Sequence, residues 1–274
     1  MKIKVAAIQM SAEIANHAAN VERAKNLIRQ AAEDGCRLCV LPELALDEFF
    51  VQWKDTKYFS YAEPPDGPTV RAFQELARQS GVYIALPHFE KAIMGNFYNS
   101  LVIIDDQGKI CGVYRKNHIP FTRSFEKYYF TPGQGFPVFD TAFGKLGALI
   151  CYDRRYPESC RELVKKGAQL VVIAISSMRF KGVSFSEIPT WEAELRTRAL
   201  ENQVFIIAAN RSGAEGDYEF IGRSMIMAPD GEVLAKVGEE ENVIVAAEIE
   251  TDLVEETRRN LPLFRDRRPD LYSI

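Results

Sequence analysis

The chain has 274 residues, 47% of them hydrophobic, and a formal net charge of −4. This is enough for a well-buried core, and the acidic balance excludes nucleic acid or an anionic membrane as the natural partner. No apolar run approaches the roughly 20 residues of a membrane helix, and the amino terminus reads as a strand rather than a signal peptide, which predicts a cytoplasmic protein.

In chain order, residues 3–9 read as a strand. Residues 17–34 read as a helix with Val21, Ala24, Leu27, Ile28 and Ala31 on one face and Gly35 at its stop. A second strand is expected at 37–41, closed by Pro42, and a helix at 67–80 between Pro68 and Gly81. Strands follow at 82–87, 97–104 and 110–115. Residues 117–135 have no period and read as a functional loop. Strands at 136–140 and 145–150, a helix at 157–166, a strand at 169–175 and a helix at 187–202 come next. Strands at 203–209, 222–228, 232–237 and 243–249, a helix at 251–259 and a polar tail complete the chain, with Asp230-Gly231 as a hairpin turn. Alternating elements without repeat or linker predict one α/β domain over 1–274.

The five cysteines are Cys36, Cys39, Cys111, Cys151 and Cys160. An odd number in a chain this long argues against a disulfide framework. Cys36 and Cys39 form a CxxC without a second ligand pair, and His17, His88 and His118 are scattered, so the reading is core cysteines and no metal.

Cys151 differs in its place. It follows the apolar strand Leu146–Ile150 and precedes a turn into a helix, where a nucleophile is exposed and backbone N–H groups can hold an oxyanion. The helix start and nearby arginines predict a thiolate. Taken alone, the segment is as readily a buried core cysteine. A nucleophile needs a base, and Glu43, straight after Pro42 and flanked by Leu44 and Leu46, is a partly desolvated candidate. Lys116 holds the matching place after strand 110–115 and can donate to an oxyanion. Each alone also reads as a surface residue; together they form three strand ends carrying Glu, Lys and Cys.

Pro42-Glu43, Arg115-Lys116-Asn117-His118-Ile119-Pro120 and Cys151-Tyr152-Asp153-Arg154-Arg155-Tyr156-Pro157-Glu158 resemble, in order and spacing, the signature regions of the nitrilase superfamily of carbon–nitrogen hydrolases. The resemblance extends to Glu126–Gly133 and to the tail Arg265–Tyr272. It implies an α-β-β-α sandwich whose protomers pair into a homodimer or larger assembly, with the tail at about 260–274 at the dimer interface. It implies Glu43 as general base, Lys116 as oxyanion stabiliser, Cys151 as nucleophile and Glu126 as a second glutamate positioning Lys116 or the substrate amine. No cofactor is implied. The segment Pro132–Phe136 is one residue shorter than the commoner pattern, a detail of the rim.

Within the resemblance, Arg154 and, less strongly, Arg155 point to an N-carbamoyl amino acid, because a guanidinium grips a carboxylate with two hydrogen bonds. The competing reading is an internal ion pair with Glu158 or Asp153. Tyr152, Asn117, His118 and Ser176 are further candidates for touching the substrate, with His118 equally open to a structural role. Ser177, Met178, Asn210 and Arg211 also stand at strand ends. Phe121 and Phe125 are read as walls of the site or packing, and Trp191 and Glu192 as ordinary core and surface. The expected reaction is hydrolysis of a small amide or ureido acid. The alternatives are an ω-amidase or other aliphatic amidase, an N-carbamoylputrescine amidase, less readily a nitrile hydrolase, and least an inactive binding module.

Overall fold

The computed structural model describes residues 1–121, 124–180 and 188–272. The helix start expected at 187, residues 122–123 of the expected loop and the tail's 273–274 lie outside them. The elements run β1 (Lys2–Gln9), α1 (His17–Glu33), β2 (Cys36–Val40), α2 (Pro68–Ser80), β3 (Tyr83–Lys91), β4 (Phe97–Ile104) and β5 (Ile110–Arg115). They continue with α3 (Glu126–Tyr129), β6 (Val138–Thr141), β7 (Gly144–Ile150), α4 (Pro157–Lys165), β8 (Leu170–Ile175), β9 (Met178–Phe180), α5 (Ile188–Asn202) and β10 (Phe205–Asn210). The last are β11 (Ser212–Glu215), β12 (Tyr218–Ile221), β13 (Met225–Met227), β14 (Val233–Lys236), β15 (Val243–Glu250) and α6 (Leu253–Asn260).

Two six-stranded sheets result, ordered β15-β1-β2-β3-β4-β5 and β14-β13-β10-β8-β7-β6. In each, three central strands are parallel and the outer ones antiparallel. The alternation of β1 explains the layering. Val5 and Ala7, with Leu38 and Val40 of β2, join Leu146, Ile173 and Ile207 of the other sheet in one core. Ala6, Ile8 and Met10 point the other way, onto Ala24, Leu27 and Ile28 of α1 and Val70 and Phe73 of α2. Helices α4 and α5 cover the second sheet. The order is therefore α-β-β-α, as the resemblance implies. Each large aliphatic side chain buried this way contributes about 1.5–3 kcal/mol.

The sequence left out some features. β3 runs on to Lys91 because its far half pairs with β4 along Pro87–Lys91. The strand expected at 222–228 shrinks to Met225–Met227, since Arg223 takes a left-handed φ of 60° that no strand residue adopts. The strand expected from 203 starts at Phe205, after Gln203 at φ 51°. A small third sheet, β11-β12-β9, and 3-10 turns at Phe50–Gln52 and Thr56–Tyr61 were not foreseen. No helix among the described residues is long and apolar enough to cross a membrane.

Candidate active site

Four strand ends meet on one side of the sandwich. Glu43 stands three residues past β2, in a turn where Leu44 adopts φ 51°. Lys116 directly follows β5, its N–H bonded to the Asn99 carbonyl of β4 at 2.9 Å. Cys151 directly follows β7 and opens the 3-10 turn Cys151–Arg155 with φ 44°. Ser176 directly follows β8. A left-handed φ at a non-glycine residue is strained, and at Cys151 it turns the chain sharply at the sheet edge.

Lys116 is fully buried between two buried carboxylates. Its ammonium donates to Glu43 Oε1 at 2.7 Å and to Glu126 Oε2 at 2.6 Å. The amide of Asn99 donates to the same Glu43 oxygen at 2.8 Å. Glu43 Oε2, equally buried, has no hydrogen-bond partner among the described residues. A buried acceptor left open costs free energy, and it remains available to accept a proton. Glu126 is brought here by α3, a single turn inside the segment expected to be irregular. The turn is pinned by the Phe125 N–H on the Val51 carbonyl at 2.7 Å and the Tyr129 hydroxyl on the Trp53 carbonyl at 2.7 Å. The returning chain passes so close to Lys116 that a Cβ on Gly133 would sit 2.2 Å from the Arg115 carbonyl oxygen. Only glycine fits there.

The charges follow from this burial. Desolvation opposes the charge of Lys116, but Glu126 and Glu43 more than offset it and hold its pKa above the ordinary lysine value. Desolvation pushes the Glu126 carboxyl up to about 7 against the pull of Lys116. Cys151 corrects the sequence expectation of a thiolate. Burial, then Glu43, push its thiol up to about 12, and Lys116 and Arg154 offset only part of that. A thiol held up in this way reacts only when a neighbouring group takes its proton.

Arg154 is buried and lies against the thiol. Its Nη1 donates to the Cys151 carbonyl at 2.9 Å and reaches Sγ at 3.7 Å, and its Nη2 donates to Ser177 Oγ at 3.2 Å. Among the described residues it pairs with Glu194 of α5, at 3.3 Å from Nε, rather than with the Glu158 or Asp153 considered from sequence. Arg155 shares that carboxylate at 3.1 Å. The Arg154 guanidinium lies over the Trp191 ring, which is core as expected. Ser176 donates its hydroxyl to the Glu43 carbonyl at 2.9 Å. Arg211, fully buried, donates to the Leu44 and Asp47 carbonyls at 2.7 and 2.9 Å, so both act on the loop that carries Glu43.

Asn117 and His118 are committed elsewhere. The Asn117 amide donates to the Gly135 carbonyl at 2.8 Å and its oxygen accepts from the Gly135 N–H at 3.0 Å. His118 pairs through Nδ1 with Asp153 at 2.8 Å and stacks on Tyr156 with centroids 3.8 Å apart. Tyr152 packs edge-on against Tyr156. Phe121 and Phe125 are exposed. Sequence reasoning missed Asn99 and Glu194. Asn99 left a signal, since with Ser100 it interrupts the apolar run of β4, and Glu194 left none.

The sequence profile of carbon–nitrogen hydrolases matches residues 4–259. An N-carbamoylputrescine amidase of Arabidopsis thaliana is 35% identical over 93% of this chain and 89% of its own. The omega-amidase NIT2 of Xenopus tropicalis is 35% identical over 93% and 91%. Among solved structures, a carbon–nitrogen hydrolase from Helicobacter pylori G27 superposes with a TM-score of 0.93 at 35% identity, covering 99% of this chain and 97% of that one.

Proposed function

The chain belongs to the carbon–nitrogen hydrolase family of the nitrilase superfamily and is an enzyme that hydrolyses amide C–N bonds; from that premise we propose that Cys151, Glu43 and Lys116 do the chemistry. The observation that carries the proposal is the open Oε2 of Glu43, buried in a carboxylate whose other oxygen is held by Lys116 and Asn99. As Sγ of Cys151 attacks the carbonyl carbon, its proton passes to Glu43. The tetrahedral oxyanion is held by the Lys116 ammonium and by the Tyr152 N–H, one of the first N–H groups of a 3-10 turn, which lack acceptors inside the turn. Glu43 returns the proton to nitrogen as the C–N bond breaks and ammonia leaves. Water then attacks the thioester carbon, giving a proton to Glu43, and the C–S bond breaks to restore the thiol.

The substrate we infer is an N-carbamoyl amino acid. In that case the departing group is ammonia, and the carbamic acid formed on hydrolysis loses carbon dioxide to leave the amino acid. The guanidinium of Arg154, 3.7 Å from Sγ, supports this reading. Its bonds to the Cys151 carbonyl, Ser177 and Glu194 hold it beside the thiol, and a substrate carboxylate would share it with Glu194. An ω-amidase acting on a short dicarboxylate monoamide would use the same residues, and the resemblance to the omega-amidase favours keeping it as the second reading.

Ammonia release from N-carbamoyl-β-alanine, N-carbamoyl-D- and L-amino acids, N-carbamoylputrescine and an ω-amide, each beside a methyl ester where it bears a carboxylate, separates these. The expected result is turnover of ureido acids, at least about tenfold better in kcat/KM than their esters, and none with Cys151→Ala. Preference for the ester or the diamine would sink the substrate class, and full turnover by Cys151→Ala the mechanism. We further propose a cytoplasmic homodimer joined at the tail. A groove of about 640 Å³ between α4 and the tail, lined by Pro157, Arg161, Leu263, Arg267 and Tyr272, supports the position of that interface.

A further inference from the structure

Asp153 is fully buried two residues after the nucleophile, and the proposed mechanism gives it no part. Its carboxylate nevertheless accepts four hydrogen bonds. Oδ2 takes the Tyr114 hydroxyl at 2.6 Å and the Ile150 N–H at 3.1 Å. Oδ1 takes the His118 N–H at 2.9 Å and His118 Nδ1 at 2.8 Å, which fixes the ring as the Nδ1–H tautomer. These donors come from both sheets. Tyr114 lies in β5 and His118 two residues past Lys116, while Ile150 is the last residue of β7, directly before Cys151.

We infer that Asp153 is a positioning residue that sets the spacing between the Cys151 sulfur and the Lys116 ammonium. The inference rests on those two residues acting as proposed above. Nucleophile and oxyanion donor stand on strands of different sheets, and β-ladder hydrogen bonds cannot fix a distance between sheets. A carboxylate held by donors from both strand ends can. It also acts on the strained turn at Cys151: the Ile150 N–H it captures immediately precedes the residue at φ 44°. Four donors saturate two carboxylate oxygens, and an amide at this position offers a single acceptor oxygen while turning N–H groups toward the other two donors. His118 acquires a role from the same geometry. It is the arm by which Asp153 holds the Lys116 loop, with its ring clamped between that carboxylate and Tyr156.

The test compares Asp153→Asn, His118→Ala, Tyr114→Phe and Cys151→Ala in kcat, KM and thermal unfolding, on the best substrate of the panel above. A misplacement of about 1 Å between reacting groups costs about 100-fold. Asp153→Asn is therefore expected to lower kcat about 100-fold with KM within about threefold of the parent. His118→Ala and Tyr114→Phe should each lower kcat by less, and adding His118→Ala to Asp153→Asn should cost little more, because both cut one linkage. A folded Asp153→Asn protein that keeps kcat within about twofold, or whose loss lies wholly in KM, overturns the inference. If Asp153→Asn does not fold, full kcat in both His118→Ala and Tyr114→Phe overturns it. An active Cys151→Ala would instead overturn the proposed mechanism, which keeps the two failures distinct.

Discussion

Cys39 and Cys151 make an instructive pair. Burial pushes both thiols up, so acidity does not separate the proposed nucleophile from a core cysteine. Position does. Cys39 lies inside β2, fully buried among Ala6, Leu27, Ile28 and Ile84 beneath α1. Cys151 lies past the end of β7, at φ 44°, partly exposed and under the field of two glutamates, a lysine and an arginine. The strand interior offers a thiol only apolar neighbours. The strand end is where side chains from four strands converge without being consumed by ladder pairing.

The comparison breaks most severely at the base. If the Cys151 thiol is neutral at rest, its reactivity depends on Glu43, whereas other cysteines do not. Glu43→Gln, which keeps the Asn99 and Lys116 neighbours, is expected to lower kcat about 10²–10⁴-fold. The same change should slow alkylation of Cys151 by iodoacetamide, loss of the base outweighing relief of the Glu43 charge on the thiol, and leave that of Cys111, partly exposed on β5, untouched. Equal rates at Cys151 in parent and variant would mean that Cys151 is already a thiolate.

A milder intervention acts through Glu126. Its carboxyl is raised from the ordinary 4.5 to about 7, chiefly by burial. Activity and stability should then run in opposite directions with pH. Below about 7, a protonated Glu126 leaves Lys116 to Glu43 alone and makes Glu43 a poorer base, so kcat/KM rises as pH climbs through about 7. Between about 4.5 and about 7 the folded chain holds a proton that the unfolded chain has lost, so stability falls as pH rises across that window. Glu126→Gln should lose about tenfold in kcat, move the acid limb of kcat/KM downward and flatten the stability profile. A limb that stays near 7 in the variant assigns it to another group.

The two regions also differ in how far they could be read from sequence. The layers were legible because burial imposes a period: Val5 and Ala7 against Ala6 and Ile8 in β1, and Ala24, Leu27, Ile28 and Ala31 in α1. Glu43, Lys116 and Cys151 could be placed at strand ends because Cys151 directly follows the apolar run Leu146–Ile150, Glu43 follows one after Pro42, and Lys116 follows the strand that ends at Arg115. What stayed hidden depends on contacts across sheets. Asn117 and His118 adjoin Lys116 in sequence, yet Gly135 and Asp153 claim their polar atoms. Arg154 reads as a free recognition group until Glu194, forty residues further along the chain, is folded against it. The thiol's pKa depends on the sum of burial and four charges, of which only Arg154 stands beside it in sequence. The third sheet escaped because its strands are only three or four residues long.

The smallest expected effect lies on the quiet side of the pair. Cys39→Ser replaces a buried sulfur by a hydroxyl in the apolar layer under α1, where the neighbouring side chains are Ala6, Leu27, Ile28 and Ile84. An unpaired buried hydroxyl costs about 1–3 kcal/mol, so the urea midpoint should fall at unchanged slope. The parameters kcat and KM at 25 °C should stay within about twofold, because β2 reaches Glu43 only through Leu41 and Pro42 and the carboxylate is held independently by Lys116 and Asn99. A drop in kcat that outpaces the loss of stability would mean that the strand interior transmits strain to its end, and the separation between the two cysteines would then be one of distance rather than of kind.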